Sequence, residues 1–123
     1  MRIGELAERS GLTAYTLRYY ERIGLLPRAQ RDGSGQRDYD SEILTWIAFL
    51  QRLKTTGMPL KQMLQYAALR AAGPATEAAR AKLLMAHRES VKLHLDELQS
   101  SLAVLDKKIS GYGVSFKKRK NRQ

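Results

Sequence analysis

The chain of 123 residues has no cysteine, which excludes disulfides, thiolate metal sites and thiol redox switches. It also lacks any run of about 20 apolar residues, the length a membrane-spanning helix needs. Its first residues, Met1-Arg2-Ile3-Gly4-Glu5, carry no apolar signal-peptide region, so a cytoplasmic protein without membrane contact is expected. No nucleophile–base pairing, phosphate-binding glycine loop or metal-ligand cluster stands out, so neither an enzyme nor a cofactor is expected. Acidic residues are absent from the last 13 positions, which hold five basic ones.

What is present is positive charge. The formal net charge is +10 and the pI about 10.2, a balance that favours a polyanionic partner through counterion release from a phosphate backbone. Residues 1–70 hold 11 basic and 7 acidic side chains, and residues 71–110 hold 6 and 5. Half of the excess therefore lies in the tail. That length suits one compact head with an appendage.

Periodicity organises the head, residues 1–70. Ile3, Leu6 and Ala7 fall on one helical face and Gly11 follows as a stop. Thr13 is an N-cap for a second helix, Ala14 to Ile23, with Leu17, Tyr20 and Ile23 inward. Two short helices joined by a glycine turn read as a helix-turn-helix, whose second helix enters the major groove. Arg28 to Tyr39 then surrounds Asp32-Gly33-Ser34-Gly35, where both glycines can take positive φ, so a small β-hairpin wing bearing Arg28, Arg31 and Arg37 is expected. Asp40 caps a third helix, Ser41 to about Thr56, with Trp46 beside an apolar stripe; Gly57 ends it and Pro59 opens a fourth. Trp46, Met58 and Met63 read as packing residues.

Residues 71–75, with Gly73-Pro74, form the linker. Beyond it, residues 76–110 read as one long helix with a heptad seam. Ala81, Arg88, Leu95, Leu102 and Ile109 occupy position a, and Leu84, Val91, Leu98 and Leu105 position d; only Arg88 interrupts the stripe. No other long element exists to cover it, so a coiled coil with a second copy is expected. Arg88 would need an acidic partner there, such as Glu89 or Asp96 of the other chain. His87 and His94 lie on the flank of this helix at position g and read as solvated. The tail, residues 111–123, with Lys117-Lys118-Arg119-Lys120, reads as disordered and basic.

The segments Ile3-Gly4-Glu5-Leu6-Ala7, Leu17-Arg18-Tyr19-Tyr20-Glu21-Arg22-Ile23-Gly24-Leu25-Leu26, Arg37-Asp38-Tyr39 and Leu53-Lys54-Thr55-Thr56-Gly57-Met58 together resemble the MerR family of bacterial regulators over residues 1–70. A linker and one dimerisation helix without a separate effector domain are similar to the short, NmlR/AdhR-like branch. That branch is associated with a sensing cysteine, which this chain lacks, so its stimulus does not carry over and any effector stays unknown. The resemblance implies a homodimer held by an antiparallel coiled coil, with its heads on the half-sites of a pseudo-palindrome in promoter DNA. It also implies distortion of an over-long spacer so that RNA polymerase meets both of its recognition elements.

The expected fold class is thus all-α, a winged helix-turn-helix head with a small β-hairpin followed by a long dimerisation helix. On the recognition helix Thr13, Tyr15, Thr16 and Arg18 offer hydroxyls, a ring and a guanidinium, and Arg18 can read guanine through O6 and N7. Tyr19 lies one residue off the buried side, where its phenol reaches a phosphate, and the family pattern carries a DNA-contact role onto it as well. Arg28, Arg31 and Arg37 should meet phosphate or the minor groove; Tyr39 either orients the hairpin or donates to a phosphate. The loop from Thr55 to Lys61 adds a phosphate site at a helix N-terminus. The dimer contacts would be Leu84, Arg88, Val91, Leu95, Leu98, Leu102, Leu105 and Ile109.

Overall fold

A computed structural model describes residues 1–113. The element order is α1 (Ile3–Ser10), α2 (Ala14–Ile23), β1 (Gln30–Arg31), β2 (Arg37–Asp38), α3 (Ile43–Thr55), α4 (Leu60–Ala71), a 3-10 turn (Pro74–Thr76) and α5 (Glu77–Gly111). The fold is all-α with a two-stranded wing and a long C-terminal helix. The expectation for the basic tail falls mainly on residues 114–123, outside the described residues.

Local chemistry sets the ends of the first two helices. Gly11, at φ 77°, closes α1 by donating its N–H to the Ala7 carbonyl. The left-handed conformation costs glycine little, where a Cβ would crowd the carbonyl. Thr13 caps α2, its Oγ1 accepting the Thr16 N–H at 3.0 Å. Gly24, at φ 93°, ends that helix and turns the chain inward at Leu25.

In the wing, Gln30 pairs with Asp38 and Arg31 with Arg37 in antiparallel register. Asp32 organises the turn: its Oδ1 accepts the Ser34 N–H at 2.9 Å, the Ser34 hydroxyl at 2.7 Å and the Gln36 N–H at 3.1 Å. Arg2 adds an ion pair to the other carboxylate oxygen. These donors, the Ser34 hydroxyl foremost, hold the Asp32 carboxyl far below its ordinary value. Gly35 takes positive φ at 82°, whereas Gly33 does not. Of the two glycines free to take that conformation only Gly35 uses it, and the Asp32 side chain shapes the first half of the turn.

α3 starts at Ile43 rather than Ser41. Asp40 still caps this region, its Oδ1 accepting the Glu42 N–H at 2.9 Å, but residues 41–42 form a turn ahead of the helix. Leu6 and Leu17 are fully buried, and with Leu25, Leu26, Ile47, Leu50 and Leu53 they make the centre of the core. Trp46, Met58 and Met63 are buried in the same cluster. The Trp46 indole N–H donates to the Leu25 carbonyl at 2.8 Å, so its one polar atom is satisfied inside. Tyr66 stacks on the Trp46 ring at 5.8 Å and the Arg70 guanidinium lies over it at 4.3 Å.

The chain divides into two compact units, Met1–His87 and the remainder from Arg88. The first runs well past residue 70. Leu83 and Leu84, in the first turns of α5, pack against the head's core, and His87 Nε2 lies 2.7 Å from Thr56 Oγ1 at the end of α3. His87 is therefore not the solvated flank residue expected from sequence. In the second unit His94 remains exposed, 4.0 Å from Glu97.

Candidate nucleic-acid interface

α2 carries the polar side chains that the sequence assigns to recognition, and the wing folds beside it. Arg18, Tyr15 and Tyr19 are exposed, Tyr15 at 73%. The Arg22 guanidinium sits over the Tyr19 ring, 5.6 Å from its centroid. Thr13 and Thr16 are bound to each other, Thr13 Oγ1 donating to Thr16 Oγ1 at 3.0 Å, so their first task is to cap the helix. Tyr20 is half-buried against the core.

Between α2 and the wing lies a cleft of about 310 Å³ lined by Arg18, Arg22, Arg28, Arg31, Arg37 and Glu21, with Ala29 behind. Five guanidiniums around one cleft would repel one another without a counter-charge. Glu21 supplies it. Its Oε1 accepts from Arg37 Nε at 3.2 Å, and its Oε2 accepts the Ala29 N–H at 3.0 Å and the Tyr39 hydroxyl at 3.3 Å. The Glu21 side chain is only 11% exposed, so its charge is spent on the hinge between helix and wing. The remaining guanidinium N–H groups are left to face an outside anion.

Each of the wing's predicted residues has a distinct place. Arg31 is exposed and partly tethered, its Nη1 donating to the Gly35 carbonyl at 2.7 Å. Arg28 is exposed on the cleft wall with no ion pair among the described residues. Tyr39 is 4% exposed, its hydroxyl turned to Glu21 and its N–H donating to the Met1 carbonyl at 2.7 Å. Of the two roles left open for Tyr39, this geometry matches that of a residue orienting the hairpin. Burial, and then the Glu21 carboxylate, push its phenol above the ordinary value of 10.0. Lys61 is exposed in the first turn of α4, where no side chain caps Pro59, and does not line the cleft.

Sequence reasoning missed Glu21, Arg22 and Arg2. A signal existed for the first: Glu21 follows Leu17 by four residues, placing a carboxylate on the inward side of α2 just where an arginine-rich wing must fold over it. Arg2 has no such pattern, since its bonds to Asp32 and to the Arg37 carbonyl at 3.4 Å join the chain start to the wing.

In the second unit, the seam residues Leu95, Leu98, Leu102, Leu105 and Ile109 are between 39% and 59% exposed. Val91 is half-buried and Arg88 exposed, its guanidinium 3.2 Å from Glu89 of the same chain. Leu84, placed in the seam from sequence, is half-buried against the head.

Known proteins share this architecture. The family model for MerR family regulatory proteins matches residues 2–39, and a second, described as MerR, DNA binding, matches residues 44–108. The HTH-type transcriptional regulator AdhR of Bacillus subtilis is 42% identical over 89 residues, covering 72% of this chain and 64% of AdhR. A putative MerR family regulator from Listeria monocytogenes superimposes with a TM-score of 0.85 at 40% identity, over 93% of this chain and 86% of that one. HiNmlR, described as a MerR family regulator lacking the sensor domain and solved bound to promoter DNA, gives a TM-score of 0.80 at 37% identity, over 91% and 89%. Two family models in register with the helix-turn-helix, the wing and the long helix leave one assignment: this chain belongs to the MerR family of sequence-specific DNA-binding transcriptional regulators, related to its AdhR/NmlR-like branch.

Proposed function

We propose that the protein acts as a homodimer on a pseudo-palindromic promoter site and distorts the spacer DNA between its half-sites to control transcription by RNA polymerase. The observation that carries this reading is the line of exposed leucines from Leu95 to Leu105, which nothing among the described residues of the second unit covers. Leaving such side chains in water forgoes roughly 1.5–3 kcal/mol each, and a second copy of the helix is the simplest cover. Each head then brings one arginine cleft to the duplex. Arg18 reads base edges, Tyr15 and the Thr16 hydroxyl stand beside it, and Tyr19, Arg28, Arg31 and Arg37 hold phosphates. Thr13 keeps the helix start in place, Tyr39 fixes the wing, and Lys61 adds a phosphate contact at the head of α4.

Bending and untwisting a spacer costs on the order of 1–6 kcal/mol, which contacts at both ends must offset. A single head cannot supply them. The relation to HiNmlR, solved on promoter DNA, supports the same target class. Sedimentation of the free protein, combined with footprinting on genomic promoter fragments, tests the proposal. Two protected half-sites with a hypersensitive spacer are expected, and a monomer protecting one isolated patch would overturn it.

A further inference from the structure

Arg88 is a cation in the middle of an otherwise apolar seam, and its surroundings select one way for two helices to pair. A parallel pair would set Arg88 directly against its own copy, two like charges in one layer. In an antiparallel pair positions a and e of both helices share a flank, so a residue at a meets an acid at e of the other copy when the register brings them level. Asp106 is the acidic residue at position e. It is half-buried, and among the described residues it has no ion pair.

We propose that two copies of α5 pair antiparallel in the register that seats Arg88 of each against Asp106 of the other. The proposal rests on the homodimer reading above and on the antiparallel orientation that the family resemblance implies, and goes beyond both by assigning the register and the ion pair that enforces it. In this register Leu95 faces Leu98 of the second copy, Val91 faces Leu102, and Leu105 covers the Arg88 stem. Glu89, already 3.2 Å from Arg88, stays on its outer side. A shift of one heptad one way sets Arg88 against Tyr112, whose ring already carries the Lys108 ammonium at 5.6 Å. The opposite shift sets it against Leu98 and Gln99, a layer in which the facing helix offers no acid. Of these three registers only one gives Arg88 an acid from the facing helix in addition to Glu89 of its own chain, so Arg88 sets alignment where leucines alone would let the helices slide. Glu89 and Asp96, the partners suggested by sequence, sit at position b, away from the facing helix.

The absence of native cysteine makes the test direct. Val91→Cys chains mixed with Leu102→Cys chains should form a disulfide-linked heterodimer under mild oxidant, and Val91→Cys alone should stay unlinked. Linkage of Val91→Cys to itself would show a parallel pair, and linkage to Ile109→Cys the shifted register; either overturns the proposal while leaving the dimer intact. A monomer by sedimentation would sink the dimer reading as well. Arg88→Asp should weaken dimerisation at least about tenfold by placing two carboxylates together. The swap R88D/D106R should restore it to within about threefold. Both positions are outside the head's core, and a swap that fails to restore affinity while helicity is unchanged refutes the pairing.

Discussion

Glu21 is surrounded by three donors from the wing, and removing it would leave the Ala29 amide and the Arg37 guanidinium without their acceptor. Glu21→Ala should lower stability by about 1–3 kcal/mol in denaturant titration, with Glu21→Gln nearer the lower end because an amide oxygen still accepts. Tyr39 shares that carboxylate, and its phenol holds its proton more tightly than an exposed tyrosine. A group whose proton is bound more tightly in the folded state stabilises the fold fully below its unfolded value near 10, and loses that contribution as pH rises through the folded value. Alkaline absorbance titration should therefore find one late-ionising tyrosine whose titration coincides with unfolding, and Tyr39→Phe should remove that late step. Arg18 is exposed, so Arg18→Ala should leave the fold unchanged yet cost about 1–3 kcal/mol on the specific site. Equal loss on all DNA in a competition assay would deny it a base-reading role.

At the scale of the element, the helix-turn-helix owes its sharpness to two kinds of terminus. Thr13 satisfies the free amide of Thr16, and Gly11 and Gly24 close the helices in the left-handed region. Thr13→Ala should destabilise the free protein by about 1 kcal/mol, read as a lower melting temperature, while Thr13→Ser should be nearly neutral. The wing depends less on its four paired residues than on the Asp32 turn and the Glu21 anchor, since an isolated two-stranded hairpin is marginal in water. The long helix joins the head through Gly73, at φ 97°, and Thr76, whose hydroxyl donates to the Leu69 carbonyl at 2.6 Å.

At the scale of the whole molecule, the head buries its apolar residues within one chain, and the described residues of the second unit do not. Leu98 is 53% exposed, so Leu98→Asp should leave the head folded while shifting the protein to monomers by sedimentation. Specific promoter affinity should fall with it, because two half-sites bound by linked heads gain from effective concentration that separate heads lose. Among the described residues no helix is long and apolar enough to cross a membrane, and no group of three His, Cys, Asp or Glu side chains gathers to hold a metal ion.

The sequence by itself determined the helices, their order, the wing and the leucine seam, because these rest on periodicity and on caps within a few residues of one another. Ile3, Leu6 and Ala7 announce α1 whatever packs against them, and Thr13 caps α2 by reaching only to Thr16. Tertiary structure alone decided what Glu21, Tyr39 and the first turns of α5 do. The Glu21 carboxylate meets donors 8 to 18 residues away, Leu84 turns to the head although its heptad position suits the seam, and His87 finds Thr56 across 31 residues. Such contacts depend on how finished elements pack, and the free energy of closing them is shared among residues that no local window contains.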